Sequence, residues 1–393
     1  MLSAVVLAGC SGEASDASAG DASEEIETIT LTYADYAQEA SDVSIRAFAE
    51  EVAEQSDGNI TIETYFAGSL LSVEDMLPGV SSGVADIGNV PVTYFAQEMP
   101  ITDWMMGLTT ATSESFPLQS LESATATIET VLSSPDLQAE AEANGVKVLY
   151  ATANDPRYDM ICNEELTSLD SFRGALASAN GDIWVGEADS IGMTPTSVPP
   201  AEQYEGLERG VMDCAIVSPI SPMDYGLWEI SNYYHNLQFA GFNAGRTIIN
   251  SSTWDSLSDG AKQIIWDALP LIAIEKTRHN IEQYARLATE GPEEQNLEFV
   301  DPDEAVIDTL RQYQNEELEN LANQAPDSLT DPQAFIDEYL GSVEEYGTSF
   351  IESMDLDPQA PDDRVAAHVE ATELDLSLYE EAIRDIYAAN SDF

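Results

Sequence analysis

A chain of 393 residues has room for two ordinary domains with sizeable cores, and its 44% hydrophobic content marks it as globular rather than disordered. Its 73 acidic residues face only 13 basic ones, a formal charge of −60, and lysine occurs only at Lys147, Lys262 and Lys276. Nucleic acids and anionic membrane surfaces are thereby excluded as partners, because both need clustered Lys or Arg. At low salt such a charge repels itself, whereas at molar salt the screening length falls to about 3 Å. The composition reads as adaptation to a saline medium, with a moderately acidic secreted protein as the alternative.

Leu2 to Leu7 is a short apolar run leading into Ala8-Gly9-Cys10-Ser11. This resembles the lipobox of bacterial lipoproteins, so that residues 1–10 would be a lipoprotein signal in which Cys10 is lipidated and becomes residue one after cleavage. No basic residue precedes Arg46, although a signal peptide opens with positive charge, so a truncated start is expected. An accidental apolar N-terminus is the alternative. Residues 11–27 have the composition of a flexible tether. No later apolar run reaches the roughly 18 residues that a membrane-spanning helix requires.

Thr28 to Tyr33 alternates as a first strand, and Asp42 opens a helix carrying Ile45, Phe48 and Val52. Asn59 to Tyr65 is a second strand. Ser72 and Asp75 form a capping-box-like start to a helix ending by Gly83, and Val84 to Val90 is a small-residue buried strand. Pro91 to Gln119 is aromatic and irregular. A helical region from Leu121 to Asn144, broken near Ser134-Pro135, leads to a strand at Val146 to Thr152. Asn154-Asp155-Pro156 marks a crossing to a second lobe, where Arg157 to Cys162 continues extended and Ala175 to Ala179 is a short strand. In Pro195 to Pro219, prolines forbid helix until Ala201, a short helix follows, and Val211 to Ser218 is an apolar strand. A helix is expected around Tyr225 to Tyr233 and a strand at Arg246 to Asn250. Ser258 caps a long helix to about Glu290 that Pro270 should kink. The remainder is helical by pattern, acidic, and divided by Pro326, Pro332, Pro358 and Pro361. Strands alternating with helices imply a mostly parallel α/β sheet, which places ligands at strand ends.

No catalytic constellation emerges. His235, His279 and His368 lack metal-ligand spacing, and HExxH, GxSxG and phosphate-loop patterns are absent. With 73 acidic residues a carboxylate pair carries no information, and the EF-hand calcium pattern is missing. No cofactor or metal is expected. Cys162 and Cys214 are buried small hydrophobes or, in an oxidising compartment, a disulfide. Arg157, opening a strand at the lobe crossing, either forks onto a ligand carboxylate or pairs with Asp155 or Asp159. Tyr33, Tyr36, Tyr94, Phe95 and Trp184 line a cleft or belong to the core.

Three segments agree in order with one family. ITIETYFAGSLLSVEDMLPGVSSGVADIGNVPVTYF (60–95), AEQYEGLERGVMDC (201–214) and GLWEISNYY followed by TIINSSTWDSLSDGAKQIIWDAL (226–269) resemble the dicarboxylate-binding type of solute receptor of tripartite ATP-independent periplasmic (TRAP) transporters. The resemblance implies an α/β, two-lobed periplasmic-binding-protein-like fold with crossing strands, a long helix spanning both lobes and a helical C-terminal extension. Lobe I would take residues 28–153 and about 243–283, lobe II 154–242 and about 284–335, and the extension 336–393. It also implies a non-enzymatic receptor that encloses a small organic solute, such as an organic acid, by hinge closure. The solute would pass to the small and large membrane subunits of a sodium-driven permease. Such a receptor would be extracytoplasmic, held at the membrane only by its lipid, and a monomer or a dimer. An ATP-driven importer's receptor and, from another class, a secreted hydrolase are the alternatives.

Arg157 falls where the family's arginine holds a ligand carboxylate, with Tyr36, Asn89, Tyr94, Trp184 and Ser218 as further wall residues. Two positions depart from the pattern. Ser178 stands where a second arginine ends the family's G-x-K-x-R strand, Arg173 being five positions early, and Val217-Ser218 stands where an asparagine is usual.

Overall fold

The computed structural model describes residues 27–37, 43–153, 155–358 and 364–391. The expected lipidation at Cys10 and the tether up to residue 26 lie outside them. Lobe I begins with β1 (Ile29–Ala34), β2 (Ile60–Tyr65), β3 (Ile87–Pro91) and β4 (Val146–Thr152). The chain then crosses to lobe II for β5 (Asp155–Cys162), β6 (Leu176–Ser178), β7 (Thr194–Thr196), β8 (Cys214–Val217) and β9 (Tyr233–Phe242). β10 (Gly245–Asn250) returns to lobe I, and β11 (Glu298–Val300) goes back to lobe II. Among the described residues these strands form two sheets, ordered β2-β1-β3-β10-β4 and β11-β9-β5-β8-β6-β7. β1 runs parallel to β2 and β3, whereas β10 inserts antiparallel between β3 and β4. The two crossings, β4 into β5 and β9 into β10, lie where a hinge between the lobes would sit.

Local chemistry sets most boundaries as expected. Ser134 caps the helix Pro135–Ala143, accepting from the Leu137 N–H, with Pro135 in the first turn where a missing N–H costs nothing. Ser72 and Ser258 act likewise toward Asp75 and Ala261. Pro270 does not kink one long helix. It starts a new one, so that Asp259–Ala268 ends and Pro270–Glu294 begins at Leu269. This second helix buries Ile272 and Ile274 in the main core and Leu287 in the lobe II cluster, so it ties the lobes together.

Three further expectations are corrected. β3 starts at Ile87 rather than Val84, and β8 at Cys214 rather than Val211, because both valines are 57% exposed and leave the sheets. Residues 225–233 are not a helix. A single turn at Ser221–Asp224 and a 3-10 turn at Leu227–Glu229 lead into β9, the missed crossing strand. β9 is covered on both sides, so it shows no alternation of polar and apolar residues. His235 Nε2 accepts from the Leu166 N–H, and the Asp159 carboxylate of the neighbouring β5 accepts from the Leu237 and Gln238 N–H groups. β11 was missed as well. Cys162 and Cys214 face each other across β5 and β8 and are disulfide-bonded, which settles that alternative.

The acidic C-terminal region is a packed helical layer. Helix Pro332–Met354 lies on helix Leu118–Ser133, with Tyr339 Oη 3.3 Å from Thr127 Oγ1 and Tyr346 Oη donating to Glu129. Helix Ser377–Ala389 brings Tyr387, whose hydroxyl donates to the Leu149 carbonyl and whose carbonyl accepts from the Trp266 indole. Covered on both sides, Leu118–Ser133 buries even Ser123, Thr125 and Thr127.

Candidate functional site: a tyrosine-walled cleft between the lobes

The C-terminal ends of β1 and β3 meet lobe II. Asp35 follows β1 directly and is fully buried. Its carboxylate accepts from Tyr33 Oη at 2.8 Å, the Ala37 N–H at 2.8 Å and Asn89 Nδ2 at 3.1 and 3.2 Å. Asn89 on β3 thus orients Asp35. Tyr36 is the next residue, and Tyr94, 43% exposed, closes the turn after β3. From lobe II come Tyr158 of β5, stacked on Trp184 at 5.3 Å and 10°, and Tyr225 beyond the Ser221–Asp224 turn. The Tyr36 hydroxyl is held well above its ordinary pKa by burial first, then by Asp35, Tyr225, Tyr158 and Tyr94. Tyr225 is pushed up to about 12 by burial, Asp224, Tyr94 and Asp35. Tyr94 is raised by burial and Glu74. All three phenols therefore stay neutral at physiological pH.

The other expected wall residues are occupied within the protein. Ser178, at the end of β6, donates to the Val198 carbonyl and accepts from Asn180 and Gln203, which binds the strand end to the Pro-rich stretch. Trp184 is buried, its indole donating to the Ala240 carbonyl at 2.7 Å. Ser218 Oγ lies 3.0 Å from Ser221 Oγ.

Arg157 occupies the opposite face of β5 from Tyr158, as neighbours on a strand do. Its Nη2 donates to the Thr110 and Thr112 carbonyls at 2.7 and 3.4 Å. Burial lowers the guanidinium to about 10, with Glu187, Glu114 and Glu122 offsetting it, and it remains charged. Together with Gln119 and His368 it borders a cavity of about 20 Å³ against helix Arg364–Glu370, not the tyrosines. Arg173 makes an exposed pair with Asp170.

A larger cavity of about 400 Å³ adjoins the tyrosines, starting at Thr93 beside Tyr94 and walled by helix Asp182–Ser190 and by Tyr313. Its lining includes Asp103, Asp182, Glu187 and Glu317 and no Lys or Arg. Burial, with Asp182 and Glu140, raises Asp103 to about 6. Burial lifts Glu187 to about 7, against the hydrogen bonds from Gln314 and the Ala240 N–H and the charge of Arg157. Because its folded pKa is raised, Glu187 binds its proton more tightly in the native state than in the unfolded chain. Its contribution to stability is therefore full below the unfolded value and falls as pH rises toward about 7. Glu187→Gln is expected to flatten the decline of melting temperature between about pH 4.5 and 7. Parallel thermal melts in molar salt would check this, and unchanged slopes would refute it.

Asp35, Tyr158 and Tyr225 were not singled out from the sequence. Tyr158 is one residue from Arg157, and only the alternation of β5 tells which of the two faces the cleft.

Two α/β lobes with a shared long helix and an interlobe cleft define a two-lobed binding protein. The chain belongs to bacterial extracellular solute-binding protein family 7, whose model matches residues 37–325. Family and fold are those of solute-binding receptors, not enzymes. A solute-binding protein of Chromohalobacter salexigens is 24% identical over 226 residues, covering 57% of this chain and 65% of that relative. Among solved structures, a TRAP periplasmic solute-binding protein from Desulfovibrio salexigens superposes with a TM-score of 0.67 at 22% identity, covering 83% of this chain and 98% of its own. The periplasmic ectoine-binding protein of the TeaABC TRAP transporter of Halomonas elongata gives 0.69 at 16% identity, covering 81% and 100%.

Proposed function

We propose that this protein is an extracytoplasmic receptor that encloses one small organic solute between its lobes and delivers it to the membrane subunits of a sodium-driven tripartite permease. What supports this reading is the family match over residues 37–325, together with the action of Tyr158 and Tyr225 from lobe II on the Tyr36 phenol of lobe I. The cavity of about 400 Å³ is lined from both lobes, by Thr93 and Asp103 on one side and Asp182 and Glu187 on the other, so closure completes the site and release requires opening. Similar folds carry ectoine in one case and pyroglutamate in another, which sets the scale of solute such a body takes. Carboxylate capture by Arg157, the reading drawn from the family pattern, would require its guanidinium to leave the Thr110 and Thr112 carbonyls. Lipid anchorage through Cys10 and function in a saline medium complete the proposal, the latter supported by the charge of −60.

Thermal-shift and small-angle scattering measurements on the whole chain in molar salt test it with a panel of small acidic, neutral and cationic solutes. A cognate solute should raise the melting temperature by several degrees and reduce the radius of gyration. Tyr158→Ala should abolish both responses. A panel that produces neither response, or a variant that responds as the parent does, overturns the reading.

A further inference from the structure

Two small cavities, of about 20 and 30 Å³, lie where the acidic C-terminal layer meets the body, and Glu114, Arg157, Gln238 and Arg364 border both. Arg311 lines the second, so three of the chain's ten arginines gather in one place. Arg157 is only 8% exposed, and among the described residues its Nε–H has no hydrogen-bond partner. Gln119 Oε1 and His368 Nδ1, on two side chains that line the first cavity, are buried and unpartnered in the same way. Leaving one buried polar atom unpaired is costly, and three around a single cavity point to a common partner. We infer that this partner is one halide ion, chloride in a saline medium, which ties helix Arg364–Glu370 to β5 and to the segment carrying Gln119.

The unpaired groups suit an anion. Arg157 and Arg364 carry N–H donors and no acceptor. His368 is neutral at physiological pH, because burial and then Arg364 bring it down to about 4, and its one N–H placed on Nδ1 is a third donor. Turning the Gln119 amide over exchanges its unpaired oxygen for an N–H2 group. The charges lead the same way. Glu114 is taken up by Arg311 at 2.5 Å. Asp159 accepts from the Tyr234 hydroxyl and from the Leu237 and Gln238 N–H groups. Arg157 and Arg364 therefore stand against one further carboxylate, an excess of a single positive charge. Glu187 and Glu122 also act on Arg157 but line neither cavity. Size completes the choice. A water-sized particle needs about 10–15 Å³, so a monatomic ion fits and an organic carboxylate does not. A water molecule would leave the excess charge uncompensated.

Melting curves of the whole chain test the inference, with sodium held constant in the molar range and gluconate replaced stepwise by chloride or bromide. Gluconate is too large for either cavity, so it keeps the ionic strength without competing. The melting temperature of the parent should rise along a saturating curve. Arg364→Gln, at a half-buried position, should weaken the apparent halide affinity about tenfold. Crystals of the parent grown in bromide should show an anomalous scattering peak beside Arg157 Nε and His368, a readout that needs no variant. A response that never saturates, an identical curve in Arg364→Gln, or a bromide peak found only elsewhere overturns the inference. Acetate that replaces gluconate with the same effect as chloride overturns it too, because the site would then take carboxylates.

Discussion

A chain ending at Asp331, without residues 332–393, is expected to lose more than about 5 kcal/mol of stability and to aggregate. The removed segment takes its own ordering entropy with it, so the loss that counts is the surface uncovered on the remaining body. That surface is aromatic. Trp266 would lose Tyr387 at 5.5 Å, Trp104 would lose Phe335 at 5.7 Å, and Phe116 and Tyr284 would lose His368 at 4.9 and 5.6 Å. Re-exposing large buried side chains costs about 1.5–3 kcal/mol each, against a net stability of about 5–15 kcal/mol for a typical domain. The buried hydroxyl-rich face of helix Leu118–Ser133 would be bared as well. Denaturant unfolding in molar salt, with light scattering, reads the outcome. A monodisperse product that unfolds at the same midpoint would show the layer to be decoration.

Arg246→Ala is expected to cost about 3–5 kcal/mol. Arg246 lies on β10, between β3 and β4 in the lobe I sheet, and is fully buried. Its Nη1 donates to the Asn243 and Gly245 carbonyls at 2.6 and 2.9 Å. Burial brings its guanidinium down to about 10, with Glu140 the principal opposing charge, so it is a buried cation at neutral pH. Truncation leaves a void, carbonyls without their donor and Glu140 without its counter-charge. Arg246→Met separates these causes, because it refills much of the volume without restoring the donors. Chemical unfolding should rank Arg246→Ala below Arg246→Met, and both below the parent. A loss under about 1 kcal/mol for Arg246→Ala would show the guanidinium to be dispensable.

Where backbone chemistry is local, the chain was readable from its residues. Ser134-Pro135, Ser258 and the apolar run Val146 to Thr152 specify their elements without outside help, and each stands where expected. β9 was unreadable for a definite reason. A strand buried on both faces does not alternate, and His235, Asn236 and Gln238 look like a loop until their partners Leu166, Asp301 and Gln314 are in place. The site was harder still. In a chain with 73 acidic residues, one buried Asp35 is indistinguishable from the solvated rest by composition. Asp35 is set apart by Tyr33, Ala37 and Asn89 around its oxygens, and Asn89 lies 54 residues away. Arg246, the largest fully buried side chain, could equally have been a surface arginine by sequence.

The insertion of β10 between β3 and β4 also governs the order in which this protein can be built. β3 and β4 touch each other only through a strand that comes some 95 residues after β4, once most of lobe II has been made. Lobe II in turn waits for β11, which follows the long helix. Neither half can mature while the other is still emerging. The growing chain therefore carries unpaired edges of β3 and β4 for much of its synthesis.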